Sequence, residues 1–262
     1  MSCYYLGIDI GSLSCDAVLI DVTGRILAAS VVPTGARNKE AIERATGEVL
    51  RDAGLKRDRL ASTVSTGYGR DRVADRAAAV TEITCHARGI AELLPETRLL
   101  IDIGGQDSKA VALGPKGKVL DFAMNDKCAA GTGRFLEAMA RALGVDITEL
   151  ADMDLGSTRE LTLSSMCTVF AESEVVSLIA QGMPENEIVR GLNRSIASRT
   201  ASLAKRICAE PSLTSIAMSG GVAHNSGVVR ALSDFLGRSV SVPPQPDTVG
   251  AFGAALIARD RA

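Results

Sequence analysis

Residues 6–27 read LGIDIGSLSCDAVLIDVTGRIL, and residues 99–120 read LLIDIGGQDSKAVALGPKGKVL. The two stretches align without a gap at a constant spacing of 93 residues. They share an apolar run that ends in Asp-Ile-Gly, at residues 9–11 and 102–104, and a turn glycine at Gly24 and Gly117. Because the turns match as well as the apolar positions, duplication explains the agreement better than chance.

Each copy predicts a three-stranded β-meander. An apolar strand ends at Asp-x-Gly, a tight polar turn leads into a second strand, and a hairpin turn leads into a third. The hairpin turns fall at Thr23-Gly24 and at residues 114–117, GPKG, which are rich in residues that tolerate turn geometry. The chain therefore carries two homologous meanders.

Helical patterns follow the two copies, with apolar residues spaced three and four apart. These patterns predict helices over residues 39–54, 134–144, 171–181 and 248–258 and a further strand over residues 215–218. The alternation of strands and helices indicates an α/β protein in two lobes.

Composition narrows the classes of partner. The 262 residues include 29 basic and 31 acidic side chains, and this balance argues against a general nucleic-acid or membrane-surface binder. The absence of Trp weakens any case for stacking on bases. Since the sequence shows neither a signal-peptide pattern nor 18 consecutive uncharged apolar residues, we expect a soluble cytoplasmic protein whose partners are small molecules and other proteins.

Three glycine turns, each after an apolar strand, are candidates for nucleotide binding. Glycine at a strand end lets the backbone approach a ligand closely, and the N–H groups of such a turn can face phosphate oxygens. Asp9 and Asp102 stand beside the first two turns, where each carboxylate could hold Mg²⁺ through water. The third turn, Ser219-Gly220-Gly221, offers backbone that can pack against adenosine. Each turn alone is a weak signal, because glycine-rich turns after strands are common.

Together the three turns carry a more specific pattern. GIDIGSLS, IDIGGQDSK and MSGGVAHN resemble the two phosphate loops and the adenosine loop of the actin, sugar kinase and Hsp70 superfamily. This resemblance implies two ribonuclease-H-like lobes with an ATP cleft between them. It predicts one lobe from residues 1–97 with about 245–262, and a second lobe from residues 98–244.

Two of the six cysteines, Cys128 and Cys167, precede helical patterns in DKCAAGTGRFLE and MCTVFAESEVVSL. A helix N-terminus favours negative charge and suits an anionic thiolate–metal centre. One chain supplies only two such thiols, whereas an iron–sulfur cluster needs four ligands. Two identical chains on a twofold axis could supply all four. We interpret Cys3, Cys15, Cys85 and Cys208 as packing residues, which is also the default interpretation of any lone cysteine.

These two cysteine motifs resemble those of the activators of 2-hydroxyacyl-CoA dehydratases, a family that also includes the ATP-binding subunits of benzoyl-CoA reductases. The likeness runs over essentially the whole chain. It implies a homodimer with one 4Fe-4S cluster at the subunit interface, ATP and Mg²⁺ in each subunit, and reduced ferredoxin or flavodoxin as electron donor. The implied activity is an ATPase coupled to low-potential electron transfer, which generates a ketyl radical in a dehydratase of anaerobic metabolism.

The family pattern also assigns roles to individual residues. It places Asp9 and Asp102 on the Mg²⁺ side and lets Gln106 or Asp107 orient the attacking water. The nucleotide-binding residues that it implies are Gly11, Ser12, Leu13, Ser14, Cys15 and Asp16 on the first loop, Gly104, Gly105, Gln106 and Lys109 on the second, and Gly220, Gly221, Asn225 and Asp247 around the adenosine.

Two of these positions depart from the family pattern. Asp16 stands where many members have Lys, so a positive contact to phosphate is in doubt there, and Lys109 of the second copy could compensate. Asp16 could also be a solvated carboxylate at a strand edge. Asp247 stands where a Gln often faces the adenine.

The sequence leaves three functions open. The first is a dehydratase activator, and the second is the ATP-hydrolysing subunit of a benzoyl-CoA reductase or another cluster-enzyme reductase. The third is a small-metabolite kinase of the same fold, in which Cys128 and Cys167 are merely buried.

Overall fold

The computed structural model describes residues 3–157, 161, 163, 167–210 and 214–262, and the two copies of the repeat form strands of two different β-sheets in it. The chain divides into two units. Unit 1 comprises Met1–Thr97, Leu113–Leu120 and Pro243–Ala262, and unit 2 comprises Arg98–Ala112 and Asp121–Val242.

The first copy forms the predicted meander, which confirms that prediction. The strands of its sheet are β1 (Tyr4–Ile10), β2 (Ser14–Asp21), β3 (Ile26–Pro33), β4 (Leu60–Gly67) and β5 (Ala78–Ala79), in the order β3-β2-β1-β4-β5. The meander strands β1 to β3 pair antiparallel, whereas β4 and β5 are added in parallel. Asp9 lies opposite Asp16 on β2 and opposite Thr66 on β4.

The second copy forms the corresponding sheet. Its strands are β6 (Leu99–Ile103), β7 (Ser108–Leu113), β8 (Val119–Asn125), β9 (Ile216–Ser219) and β10 (Val240–Ser241), in the order β10-β9-β6-β7-β8. Strand β6 pairs antiparallel with β7 and parallel with β9. Asp102 therefore lies opposite Lys109 on one side and Ser219 on the other, in the same register as Asp9 in the first sheet.

The helices of the described residues are α1 (Asn38–Asp52), α2 (Glu82–Leu93), α3 (Gly133–Leu143), α4 (Thr168–Ala180), α5 (Glu185–Lys205), α6 (Ser226–Leu236) and α7 (Val249–Asp260). The four helices predicted from sequence are confirmed as α1, α3, α4 and α7, to within three residues at each end. Helices α2, α5 and α6 were not predicted. No helix in these described ranges combines the length and apolarity that crossing a bilayer requires.

Both faces of the first sheet are buried, which explains its long apolar runs. On β1, Leu6 and Ile8 pack with residues of α1, while Tyr5 packs on the opposite face with residues of α7. Strand side chains alternate between the faces, so Asp9 shares the α7 side with Tyr5. The carboxylate is thus directed toward buried surroundings.

Candidate nucleotide turns and cysteine pair

The first two glycine turns close with the same backbone hydrogen bond. Gly11 N–H donates to the Ser14 carbonyl over 2.9 Å, and Gly104 N–H donates to the Asp107 carbonyl over 3.1 Å. The duplicated sequence has therefore kept the turn geometry at both places. Residues 11–14, 104, 105 and 107 are half-buried, and Gln106 is exposed.

In unit 1 the turn leads into a pair of buried carboxylates. Asp9 and Asp16 are 7% and 5% exposed, and they face each other across β1 and β2. Asp16 Oδ2 accepts a hydrogen bond from Ser14 Oγ over 3.1 Å, while Asp16 Oδ1 has no hydrogen-bond partner among the residues that the structure describes. Because β2 is an inner strand, the interpretation of Asp16 as a solvated strand-edge carboxylate is wrong.

The surroundings of this pair carry more negative than positive charge. Burial raises the pKa of Asp16 well above its ordinary value, and the negative charges of Asp9 and Asp247 raise it further. His86 opposes this shift. Simultaneous ionisation of Asp9 and Asp16 is therefore disfavoured in the folded state.

The Asp9 side chain packs against Gly250 at the start of α7, where a side chain larger than hydrogen would not fit. A Cβ on Gly250 would collide with Asp9 Oδ2 and would lie 2.6 Å from Cε1 of His86. His86 Nδ1 lies 3.0 Å from the Glu82 carbonyl, one turn earlier on α2. The sequence analysis did not identify His86 and Gly250 as neighbours of Asp9, because only the packing of α2 and α7 brings them there.

In unit 2 the corresponding turn lies beside a cluster in which one lysine is paired with two aspartates. Lys109 is 3% exposed, and its Nζ lies 2.9 Å from Asp107 Oδ2 and 3.4 Å from Asp102 Oδ2. Ser219 Oγ donates a hydrogen bond to Asp102 Oδ1 over 2.7 Å. Both carboxylate oxygens of Asp102 thus have a partner, and the Lys109 ammonium is held by carboxylates of its own unit.

The third turn follows β9 and approaches the end of β6. Gly220 has φ +85°, and a Cβ there would collide with the Ile103 carbonyl and lie 3.0 Å from Asp102 Oδ1. Gly67 holds the same place in unit 1, with φ +86° and a Cβ direction that leads into Asp9 Oδ1. Each aspartate therefore packs against a strand-end glycine that no larger residue could replace without movement.

The other residues predicted around the adenosine have different environments. Gly221 is exposed and Asp247 is half-buried. Asn225 is buried and caps α6, since its Oδ1 accepts from Val228 N–H over 3.1 Å and its Nδ2 donates to Asn193 over 3.1 Å. The structure thus gives Asn225 a helix-capping role, and its contact with adenosine stays a prediction.

The six cysteines separate by exposure. Cys128 and Cys167 are exposed, Cys3 and Cys208 are half-buried, and Cys15 and Cys85 are buried. Burial raises the pKa of Cys15 and of Cys85 to about 12. Such thiols remain protonated and bind metals poorly. Exposure of Cys128 and Cys167 is also the opposite of what the metabolite-kinase interpretation expected.

The two exposed cysteines relate differently to their helices. Cys167 is the N-cap residue of α4, so it lies closer to its helix than the sequence predicted, since the predicted helix began at residue 171. Cys128 lies four residues before Thr132, the N-cap of α3, in the loop that leads into that helix, as the sequence predicted. Asn125 Nδ2 donates to the Cys128 carbonyl over 3.0 Å, which fastens the start of this loop to β8.

The loop that carries Cys128 is joined to the second glycine turn. Gly133 N–H donates to the Gly104 carbonyl, and Arg134 N–H donates to the Gly105 carbonyl, each over 2.9 Å. The first N–H groups of α3 are therefore satisfied by the turn predicted to bind phosphate. The sequence analysis did not identify this link, since residues 104–105 and 133–134 are separated by the whole of β7 and β8.

A metal cluster was tested against the thiols present. In the described part of the chain, no group of three or more His, Cys, Asp or Glu side chains could hold a metal ion. The two exposed thiols are half of a 4Fe-4S ligand set, so one chain cannot complete it. Two thiols from each of two chains would match the required number.

The two meanders, each extended by parallel strands and packed with helices, define a class of protein. The chain has the α/β fold of the actin and sugar-kinase ATPases, as predicted. A ROK hexokinase from Thermus thermophilus shares this fold with a TM-score of 0.52 over 98% of this chain and 99% of the hexokinase, at 17% sequence identity. A likeness at that level of identity shows the fold alone.

Sequence comparison identifies the family. The chain belongs to the BadF/BadG/BcrA/BcrD ATPase family, whose model matches residues 6–258. It is 48% identical over 259 residues to the activator of lactoyl-CoA dehydratase from Anaerotignum propionicum, covering 99% of this chain and 98% of that protein. The structure of the 2-hydroxyisocaproyl-CoA dehydratase activator from Clostridium difficile with bound ADPNP has a TM-score of 0.92 at 42% identity, covering 98% of this chain and 95% of that one. The resemblance stated from the motifs is thus confirmed.

Proposed function

We propose that this protein is the ATP-hydrolysing activator of a 2-hydroxyacyl-CoA dehydratase and transfers one electron from reduced ferredoxin or flavodoxin to that enzyme. Membership of the ATPase family and the dehydratase-activating function of its relatives support this proposal. Those relatives serve dehydratases of different substrates, so the acyl group is not assigned.

One observation carries the proposal. The turn predicted to bind phosphate and the loop of Cys128 share backbone hydrogen bonds through the first turn of α3. A change in Gly104 or Gly105 on nucleotide binding or hydrolysis would act on Gly133 and Arg134 directly. ATP binding or hydrolysis would in this way alter the surroundings of Cys128, which coupling of hydrolysis to electron transfer requires.

The predicted glycine turns would bind the nucleotide. Backbone N–H groups of residues 11–14 and 104–107 would face the phosphates, and Gly220 and Gly221 would flank the adenosine. Gln106 is exposed and Asp107 is half-buried, so either side chain could orient the attacking water. Asp9 and Asp102 would act on the Mg²⁺ side.

Cys128 and Cys167 would hold the 4Fe-4S cluster, together with the same two residues of a second copy. When bound, such a cluster supplies one-electron transfer at low potential. The residues of this chain would fix the thiolates: α4 begins at Cys167 with its N-terminal N–H groups, which favour negative charge, and Asn125 holds the backbone of Cys128. Dimerisation is thereby a condition for the site.

The cluster assignment is tested by anaerobic purification. We expect about four iron atoms and four sulfides per two chains and a reducible EPR signal. Cys128→Ala and Cys167→Ala should each lose the iron and the signal, while the matched variant Cys208→Ala should keep both. If the wild-type protein is instead a colourless monomer without a reducible cluster, the result would support the metabolite kinase.

The coupling through α3 is tested by Gly133→Pro. Proline is tolerated at the first helical position and lacks the N–H that donates to Gly104. Thr132 already has the extended backbone that precedes proline. We expect ATP turnover and iron content to persist while activation of the dehydratase falls at least about tenfold, a change of about 1.4 kcal/mol in the coupled step. Glu82→Pro, at the first position of α2, is the control.

If Gly133→Pro activates the dehydratase normally, α3 does not transmit the nucleotide state. A non-hydrolysable ATP analogue that supports transfer as well as ATP would argue against coupling of any kind. Activation of a benzoyl-CoA reductase and of no dehydratase would favour the second function left open by the sequence.

A further inference from the structure

A groove of about 940 Å³ lies in unit 1 between α1 and residues 72–77. Helix α1 packs mainly on β2 and β3, so part of the sheet beside it is left open. The floor of the groove includes Leu6 and Ile8 of β1 and Thr63, which lies opposite Leu6 on β4. A groove of this volume matches the size of sites that bind small organic molecules.

The groove combines an apolar floor with a basic rim. Leu6 and Ile8 make the floor apolar, and Ile42 of α1 continues it along one wall. Two acidic side chains line the groove, against five basic ones: Arg37, Lys39, Arg57, Arg72 and Arg76. This excess of positive charge favours an anionic ligand.

The acidic side chains of the groove are already paired with one of its arginines. Arg57 Nη2 lies 3.0 Å from Glu43 Oε2, and Arg57 Nη1 lies 3.8 Å from Asp75 Oδ2. By contrast, the side chains of Lys39 and Arg72 are exposed and make no hydrogen bond or ion pair with any residue that the structure describes. Two positive charges of the rim are therefore available to a ligand.

These two charges lie near the N-terminus of α1. Lys39 is in the first turn of the helix, and Arg37, the N-cap residue, makes no side-chain cap hydrogen bond. Arg72 N–H donates to the Gly69 carbonyl over 2.8 Å, and a Cβ on Gly69 would lie 3.1 Å from Asn38 Nδ2. An uncapped helix N-terminus beside two basic side chains favours a phosphate group.

A buried hydroxyl in the wall is an independent sign of a ligand. Thr46, further along α1, lines the groove and is 2% exposed. Its Oγ1 has no hydrogen-bond partner among the described residues. Because buried polar groups are nearly always hydrogen-bonded, a polar group bound in the groove would satisfy this hydroxyl.

We infer that this groove binds an organic phosphate with an apolar body. The phosphate would lie at the N-terminus of α1, near Lys39 and Arg72, and the apolar body would cover Leu6 and Ile8. The site stands apart from the proposed function, since its lining contains no residue of the three glycine turns and neither Cys128 nor Cys167.

The test is calorimetric titration of nucleotide-free, full-length protein with octyl phosphate, which carries both parts of the inferred ligand. We expect one bound molecule per chain and a higher Tm, because a ligand that binds only the native state stabilises it. Inorganic phosphate lacks the apolar body and octanol lacks the charge, so each should bind at least about tenfold more weakly.

Two sets of variants separate the charged end from the floor. The double variant Lys39→Gln with Arg72→Gln should bind octyl phosphate at least about tenfold more weakly. Arg51→Gln is the matched control and should bind as wild type, because Arg51 is exposed in the last turn of α1 and lies outside the groove. Thr63→Phe should fill the floor and weaken binding by a similar factor, with far-UV circular dichroism as the check on folding.

The charged variants keep the test decisive even if Thr63→Phe does not fold, since they change only exposed side chains. If wild type binds no octyl phosphate, or if the double variant binds it as tightly as wild type, the inference is overturned. Octanol bound as tightly as octyl phosphate would also overturn it, because the phosphate would then have no place in the groove.

Discussion

The two glycine turns share one backbone and differ in their charges. Both turns close with the same hydrogen bond, and both aspartates pack on a strand-end glycine. In unit 2, Lys109 neutralises Asp102 and Asp107, whereas in unit 1 Asp16 adds a second carboxylate beside Asp9. The duplicated turns have therefore kept the same backbone geometry, while the charges of the side chains beside them have diverged.

Removal of the Lys109 ammonium should have the largest effect. Lys109→Met removes the ammonium beside the buried Asp102 and the half-buried Asp107, so we expect the free energy of unfolding to fall by about 3–5 kcal/mol. Urea denaturation at pH 7 measures it, with exposed Lys118→Met as the control. A loss below about 1 kcal/mol would mean that the buried cluster relaxes easily.

The strand-end glycines should come next. Gly67→Ala and Gly220→Ala each place a methyl group against a carboxylate or carbonyl at positive φ, and we expect each to cost about 2–3 kcal/mol. Gly54→Ala has φ +65° and open space around its Cβ, so it should cost only about 1 kcal/mol. Equal losses of stability at all three positions would show that the cost comes from the positive φ alone and not from a clash with neighbouring atoms such as those of the aspartates.

Neutralising Asp16 should have a smaller effect of opposite sign. The pKa of Asp16 is raised in the folded state, so its ionisation lowers stability as the pH rises above the unfolded value. In EDTA, Asp16→Asn should match wild type below about pH 4 and exceed it increasingly at higher pH, by at least about 1 kcal/mol at pH 8. Denaturation curves across this range measure the difference, and a gap independent of pH would exclude the charge as its cause.

The smallest effect should come from the hairpin turns, where Asp21 of the first copy corresponds to Gly114 of the second. The Asp21 carboxylate accepts hydrogen bonds from the Thr23 hydroxyl, the Thr23 N–H and the Arg25 N–H. The Thr23 hydroxyl chiefly lowers the pKa of Asp21, so the stabilisation is present at neutral pH and lost as the pH falls below the unfolded value. Asp21→Asn should lower Tm slightly at pH 7 and not at about pH 2. A larger decrease in acid would contradict this.

Much of the fold could be predicted because the same strand–turn–strand pattern occurs twice in the sequence, so that each copy supports the interpretation of the other. Two matched strand–turn–strand patterns placed both meanders and their hairpin turns, and apolar spacing placed α1, α3, α4 and α7. Helix α5 was missed although Ile188, Leu192 and Ile196 recur at helical spacing and are buried. Helix α5 contains neither a glycine turn nor a cysteine, the features on which the sequence-based prediction depended.

The candidate site was predicted in its residue types and less completely in its contacts. The exposed pair Cys128 and Cys167 stood out because each precedes a helix, and the structure leaves both thiols accessible. The solvated interpretation of Asp16 failed because a single strand does not reveal whether it lies inside a sheet. Asn225 was assigned to the nucleotide, while its side chain caps α6.

The sequence by itself determined the repeat, the turns and the family, since these depend on residue order and local backbone preference. Only the tertiary structure decided that α3 hydrogen-bonds to the second turn, that Ser219 donates a hydrogen bond to Asp102, and that Asp16 lies buried opposite Asp9. Each of these contacts joins residues from separate elements. Their distances and burial depend on strand order and helix packing, which no local pattern contains.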